Sequence, residues 1–517
     1  MRHAPTPARA VMVLGTSSGA GKSWLTTALC RWYARQGLKV APFKAQNMSN
    51  NARVVPGPGS GLEGGLGEIG SAQYFQALAA RAMPDVRMNP VLLKPEHDTA
   101  SQVVVMGQVR RDYSTMPWRS RSELLWPHAQ QALASLMSEH DVVVIEGAGS
   151  PAEINLHDND FVNMRTALAA KAACLLVTDI DRGGAFAHLY GTHQLLPQAE
   201  RALIRGFVLN RFRGDAALLA PGPDQLQALT GVPTMAVIPM QRGHGLPEED
   251  GLYEDGGGLG SATSGTVTRR IAIVAYPRIS NLDEFQPLRN LPDVKLVWSR
   301  QARDLDGADW IILPGSKHTR ADLQWLHDQG LAAAIQAHAA QGRPVLGICG
   351  GLQMLGDEVR DVDGVEGAGA ASPMPTSVAG LKLLPLHTRF DATKALRATR
   401  ATWRASHEPS GSCGRQDVWA ALHGHAIDGY EIHHGRTSWT DAALAPDAIL
   451  VDDAGQAMGW QRGAVLGVYL HGLFESSAVM QALFGQQART LDSVFDGLAD
   501  VLDQSFSSGS LMQLLQP

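Results

Sequence analysis

Short, mostly apolar runs recur through the first half of the chain: "AVMVLG", "LKVAPFK", "DVVVIEG", "ACLLVTD", "IRGFVLN" and "PTMAVIP". Each is bounded by turn formers and followed by a stretch that suits a helix. A strand that is apolar on both sides needs cover on both faces, and a parallel sheet flanked by helices supplies it. The pattern predicts an α/β domain with a parallel sheet. A chain of 517 residues also exceeds what one ordinary core organises. The Gly/Ser/Thr-rich "EDGGGLGSATSGTVT" reads as a joining stretch. A second α/β series then begins with "RRIAIVAYP", "VKLVWS", "DWIILPG" and "RPVLGICGG". These features divide the chain into a first domain at 1–253, a linker at 254–268, a second domain at 269–485 and a helical tail at 486–517. Asp357 to Gln416 reads as irregular, with "GVEGAGAASPMPTS" and "SHEPSGSCGRQ" as loops and "LKLLPL" as a short strand between them. "DGYEIHHGRTSW" and "AVLGVYLHGLF" read as strands that return to finish the second domain.

Composition narrows the function. A hydrophobic share of 44% and a net charge of −6 fit a folded protein and argue against nucleic acid or an acidic membrane surface as the main partner. No apolar run approaches membrane-spanning length, and only "VMVL" separates the basic start from the first glycine, too little for a signal-peptide core. Cys30, Cys174, Cys349 and Cys413 are scattered, with neither a CxxC pair nor zinc-like spacing. Reduced thiols and a cytoplasmic location are the expectation.

The segment "VMVLGTSSGAGKSWLTTAL" sets a glycine-rich turn between a strand and a helix. In a phosphate loop, backbone N–H groups and the helix N-terminus receive phosphate oxygens. Gly21, Lys22 and Ser23 match the end of the G-x-x-x-x-G-K-[ST] pattern and Gly19 lies within the loop, but the first glycine is replaced by Thr16, with Gly15 one place earlier. Lys22 is expected on the β/γ-phosphates and Ser23 on Mg²⁺. Glu146 ends an apolar strand, where ligands of α/β sheets gather, and is a second candidate for the metal. Its plainer role is a capping acid before a glycine turn. Asp179, Asp181 and Lys44 occupy comparable strand ends, and Asn210 is either a reader of the adenine edge or a turn residue. The "GTSSGAGKS" form resembles dethiobiotin synthetase and its relatives, which phosphorylate a carboxylate with ATP.

In "RPVLGICGGLQMLG", Cys349 sits between glycines at the end of a strand and the start of a helix. This is the spacing of a nucleophile elbow, where a helix N-terminus favours a thiolate. The base is expected at His471, in "VYLHGLFE". The arrangement resembles class I glutamine amidotransferases. That resemblance implies an oxyanion site in "LPGSKHT", built by backbone around Gly315 and Ser316 with Gly350 after the nucleophile. His433 and His434 read as packing or substrate-edge residues. In class I enzymes a glutamate stands two residues after the histidine; here that place holds Leu473, and Glu475 lies two further on. A Cys-His dyad is one outcome, with Glu475 less important than His471.

Several stretches together resemble the cobyric acid synthase family of cobalamin biosynthesis: "KAQNMSNN", "EGAGSPAEINL", "DIDRGGAFA", "NRFRGD", "LPGSKHT", "GICGGLQMLG", "GYEIHHG" and "YLHGLF". The resemblance runs over nearly the whole chain. It implies ATP- and glutamine-dependent amidation of the b, d, e and g carboxylates of adenosylcobyrinic acid a,c-diamide, with a corrinoid, glutamine, ATP and Mg²⁺ as the small molecules bound. It also implies that "KAQNMSNN" and "EGAGSPAEINLHDND" line the ligase site. The sister enzyme, cobyrinic acid a,c-diamide synthase, is the near alternative. A P-loop regulatory ATPase carrying a degenerate amidotransferase module is the non-enzymatic one.

Overall fold

The computed structural model of the chain describes residues 8–57, 65–97, 100–247, 266–366, 375–404, 417–440, 448–486 and 489–516. Much of the joining stretch and Cys413 lie outside them.

The apolar runs of the first half build one six-stranded sheet in the order Thr234–Pro239, Ile204–Phe212, Ala173–Asp179, Arg9–Gly15, Val142–Glu146, Val40–Phe43. Every pairing in it is parallel. The order doubles back at Arg9–Gly15, which lies between the strands ending in Glu146 and Asp179. Loops at the carboxyl ends of these strands therefore converge on the turn after Gly15, the usual ligand crevice of an open α/β sheet. Both faces are covered, as continuous apolar strands require. One carries Met12, Leu14, Ile145 and Leu176; the other carries Val11, Val13, Val144 and Val177 under the helix Lys22–Arg35.

The second sheet has eleven strands. Its parallel part runs Val294–Ser299, Arg269–Val274, Trp310–Leu313, Val345–Ile348, Val465–Val468, with Cys349 and His471 just beyond neighbouring carboxyl ends. The α/β fold class expected for both halves holds. The stretch read as irregular between Asp357 and Gln416 differs. It contains an 18-residue strand, Leu386–Trp403, paired antiparallel with Ala426–Trp439. Leu386, Thr388 and Phe390 point inward while His387, Arg389 and Asp391 point outward. This is ordinary two-residue alternation, hidden in sequence by the many basic residues and threonines. "LKLLPL" is a turn leading into that strand rather than a strand itself.

The chain ends on the first sheet. The helix Leu491–Ser505 lays Val494, Phe495, Leu498, Ala499 and Leu502 against the helix Lys22–Arg35. Burying each large apolar side chain is worth roughly 1.5–3 kcal/mol relative to leaving it exposed. Arg35 pairs with Asp500 at 2.6 Å, and Trp32 Nε1 donates to Asp503 Oδ1 at 2.6 Å along the same seam. The two halves also meet directly. Lys317 Nζ donates to Gln102 Oε1 at 2.9 Å, Arg278 Nε to the Glu96 carbonyl at 3.2 Å, and Lys394 pairs with Glu68 at 2.6 Å. Among the described residues, no helix is long and apolar enough to cross a membrane.

Candidate active sites

The turn after Gly15 is shaped by its lysine. Lys22 Nζ folds back to donate to the Ser17 and Gly149 carbonyls, both at 2.9 Å. A Cβ on residue 15 would stand 2.9 Å from that nitrogen. Glycine is thus needed one place earlier than the common pattern has it. Thr16, which takes the usual glycine's place, donates through Oγ1 to Thr178 at 2.9 Å and ties the loop to the neighbouring strand. Gly21 has φ of 97°, a left-handed conformation that suits glycine. A Cβ there would also collide with Asn210, whose amide donates to the Ala20 carbonyl at 3.0 Å. Asn210 therefore braces the loop in this structure. Gly19 is left-handed as well, close to the Arg182 guanidinium.

Beside the loop lies a buried carboxylate. Glu146 Oε1 accepts from Ser23 Oγ and from Lys44 Nζ, each at 2.8 Å, and Oε2 accepts from Gln76 Nε2. Burial alone raises a carboxyl's pKa, but the Lys44 ammonium and these hydrogen bonds outweigh it and hold Glu146 below the ordinary value. An ionised carboxylate and a hydroxyl side by side are hard oxygen donors suited to Mg²⁺. Asp179 and Asp181 are engaged differently: Arg211 pairs with the first at 2.9 Å, and Arg213 Nε donates to the second at 2.7 Å.

In the second domain, Cys349 has φ of 52° and ψ of −105°, a conformation that non-glycine residues rarely adopt. A Cβ on Gly351 would lie 1.9 Å from the Leu313 carbonyl oxygen, so only glycine lets the turn pass this close to the neighbouring strand. The Cys349 side chain lies close enough to His471 to act electrostatically on its imidazole. Gly315 packs against the imidazole, its Cβ position 3.2 Å from His471 Cε1, and Gly350 lies against the Ser316 amide nitrogen. The Ser316 hydroxyl is committed to Asp322 Oδ2 at 2.7 Å. What Ser316 offers the site is backbone. Gly315, Ser316, Gly350, Cys349 and His471 thus converge. His433 Nδ1 lies 2.9 Å from the Gly435 carbonyl oxygen and Nε2 3.1 Å from Glu431 Oε2, and the ring stacks on Tyr469 with centroids 3.9 Å apart.

The acid partner of His471 comes from far upstream. Glu284 Oε1 and Oε2 each lie 3.3 Å from His471 Nδ1, and the Gly472 amide donates to Oε2 at 3.5 Å. The possibility of a bare dyad gives way to an arrangement in which Glu284 stands beside the imidazole, while Glu475 lies elsewhere. Glu475 turns away to Arg53, with Nη2 to Oε1 at 2.5 Å. Motif spacing does not reach Glu284, which precedes the histidine by 187 residues. The only local signal is the paired acids of "NLDEF" after the first strand of the second domain. Burial pushes the His471 pKa down, but the Glu284 and Cys349 side chains outweigh it and raise it from 6.5 to about 10. That direction favours the charged imidazole at neutral pH.

This has a measurable consequence. The folded protein keeps a proton that the unfolded chain releases above 6.5, so the stability it adds is complete below that pH and is lost as pH rises through about 10. The melting temperature is expected to fall more steeply between about pH 7 and about pH 9.5 in the native protein than in His471→Asn. Parallel melts of the two proteins across that range check this; equal slopes would contradict the charged imidazole.

A phosphate-loop domain fused to a domain with a cysteine elbow has the make-up of a nucleotide-dependent glutamine amidotransferase, and that is the class defined here. Residues 11–249 match the CobQ/CobB/MinD/ParA nucleotide binding domain, and residues 270–479 match the CobB/CobQ-like glutamine amidotransferase domain. The cobyric acid synthase of Leptothrix cholodnii is 69% identical over 99% of this chain and 98% of its own. That of Methylibium petroleiphilum is 66% identical over 99% and 97%, and that of Variovorax paradoxus 61% over 98% and 99%. The chain belongs to the cobyric acid synthase family.

Proposed function

We propose that this protein amidates the b, d, e and g carboxylates of adenosylcobyrinic acid a,c-diamide, using ATP for activation and glutamine for nitrogen. The observation that carries the reading is the pairing, in one chain, of Lys22, Ser23, Lys44 and Glu146 around a phosphate loop with Cys349, His471 and Glu284 around an elbow. Residues 1–253 form the ligase domain and 269–485 the amidotransferase domain, joined by 254–268 and followed by the C-terminal helices of 486–517. The setting is the cytoplasm, where ATP and glutamine are supplied.

The Cys349 sulfur attacks the side-chain amide carbon of glutamine, and the negative oxygen that forms is met by backbone N–H groups around Gly315, Ser316 and Gly350. His471 gives its proton to the departing nitrogen, releasing ammonia and leaving a thioester on Cys349. It then takes a proton from water, which hydrolyses the thioester to glutamate. Glu284 fixes the imidazole tautomer and stabilises its charged form. In the ligase domain, a corrinoid carboxylate oxygen attacks the γ-phosphorus of ATP, giving an acyl phosphate and ADP. Ammonia displaces phosphate and the amide forms. Lys22 lies against the β/γ-phosphates, with the loop amides near Gly19 and Gly21. Asn210 secures the loop through the Ala20 carbonyl, which supports a place for it beside the nucleotide. Ser23 and Glu146 are the residues that would hold Mg²⁺, which neutralises phosphate charge when bound.

Mass spectrometry of the corrinoid made with ATP, Mg²⁺ and glutamine tests the reading. Stepwise replacement of carboxylate by amide is expected; an unchanged corrinoid refutes it. A second test separates the acids. Glu284→Gln is expected to lower glutaminase turnover about 10²–10⁴-fold, the scale of losing a triad acid. Glu475→Gln is expected to lower it far less than His471→Asn does. Turnover at saturating glutamine decides the order, and a severe loss in Glu475→Gln with none in Glu284→Gln would reverse the assignment.

A further inference from the structure

Arg53 belongs to the first domain, in the strand Ala52–Pro56, yet its guanidinium is buried against the second. Nε donates to Asp283 Oδ2 at 3.0 Å, Nη2 makes a closer contact with the same oxygen, and Nη2 also pairs with Glu475 Oε1 at 2.5 Å. The charge lies over three aromatic rings, Tyr74 at 5.3 Å, Phe75 at 5.0 Å and Tyr430 at 5.0 Å. A fork that grips two carboxylates inside an aromatic box is a geometry only arginine supplies.

What Arg53 grips matters more. Asp283 immediately precedes Glu284 in the short turn Leu282–Phe285, and the first domain holds three consecutive residues here, Asn281 before the turn and its first two members. Asn281 Nδ2 donates to the Ala52 carbonyl at 3.4 Å, the Leu282 amide donates to Asn51 Oδ1 at 3.0 Å, and Asp283 takes Arg53. The next residue, Glu284, meets His471. On the far side of the histidine, Tyr430 stacks on the imidazole with centroids 5.2 Å apart and an 18° tilt. Tyr430 also accepts from Asn281 Nδ2 at 2.8 Å and exchanges backbone hydrogen bonds with His471. The catalytic imidazole is thus flanked by two groups, and both rest on the 51–53 segment. That segment begins near the ligase site: Lys44, nine residues before Arg53, holds Glu146.

We propose that Arg53 is a positioning residue for the amidotransferase reaction, contributed by the ligase domain: through Asp283, Glu475 and Tyr430 it holds Glu284 and His471 in the arrangement that hydrolyses glutamine. Glutaminase competence then depends on how the 44–53 segment sits, which gives the ligase domain a direct grip on ammonia release. The inference rests on the proposed glutaminase role of Cys349 and deepens it.

The test is glutamine hydrolysis by the full chain with Arg53→Met and Arg53→Lys, each alone and combined with Glu284→Gln. Ammonium-driven amidation and the melting temperature show whether the ligase domain is intact. Arg53→Met is expected to lower kcat about tenfold or more while changing KM for glutamine little, with Arg53→Lys between it and the native protein. In the Glu284→Gln background the same substitution should cost less than in the native one, because much of Arg53's hold on the site runs through Glu284. Native kcat in Arg53→Met, or an equal loss in both backgrounds, overturns the proposal. If Arg53→Met does not fold, Asp283→Asn breaks the same pair from the other side and is read by the same criteria. Native glutaminase that vanishes in Cys349→Ala, beside an unaffected Arg53→Met, would overturn this inference alone. Native protein without glutaminase would overturn the reading beneath it as well.

Discussion

Cys349→Ala is expected to abolish glutamine-driven amide formation and to leave formation driven by high ammonium intact. The two outcomes follow from where the residue sits. Its sulfur lies where His471, Gly315, Ser316 and Gly350 converge, and its backbone is held at φ of 52° by the elbow. Alanine tolerates that conformation no worse than cysteine, and it removes a side chain whose hydrogen bond goes, at 3.6 Å, to the Ile432 carbonyl. The elbow should keep its shape. What disappears is the thioester, and without it hydrolysis falls to the background that binding and the oxyanion groups sustain, a loss on the order of 10³-fold or more. The phosphate loop lies in the other sheet and shares no hydrogen bond with Cys349, so carboxylate activation continues and added ammonia completes it. Assays with each nitrogen donor, side by side on one preparation, separate the outcomes. Glutamine-driven turnover in the variant would remove Cys349 from the proposed role; loss of both activities would point to a folding defect.

How much of this was legible beforehand depended on whether a feature is local. The strand runs of the first half became its parallel sheet because continuous apolar strands leave few alternatives. The elbow and the phosphate loop were readable for the same reason: each confines glycines, nucleophile or lysine, and the following helix to a dozen residues or so. Glu284 and Arg53 were not readable. The first meets His471 across 187 residues, and the second crosses 230 residues to reach Asp283. No periodicity reports such a pairing; only the packing of one domain on the other creates it. The long strand Leu386–Trp403 failed in a different way. Its alternation is present, but Arg389, Lys394, Arg397 and Arg400 give the text the look of a solvated loop.

Lys22→Ala is expected to eliminate amidation with either nitrogen donor while glutamine hydrolysis persists. Activation comes before nitrogen attack, so a defect in the ligase domain cannot be rescued by ammonia. Lys22 is positioned for this: its ammonium already lies inside the loop, against the Ser17 and Gly149 carbonyls, where incoming phosphate oxygens would compete for it. Removing one preorganised charge at a transferring phosphoryl group costs on the order of 10²–10³-fold or more. Two structural losses accompany it, the lysine's hydrogen bonds to Ser17 and Gly149, and both carbonyls belong to turns near the sheet's open end that water can reach. The core beneath, with Val11, Val13 and Leu25 fully buried, is untouched, so the variant should fold. The glutaminase constellation hangs on Glu284 and His471, neither of which contacts the loop, and basal hydrolysis should continue. The decisive measurement is corrinoid conversion at high ammonium with ATP present. A Lys22→Ala protein that converts its corrinoid at the native rate would show that the loop does not carry phosphate in this reaction.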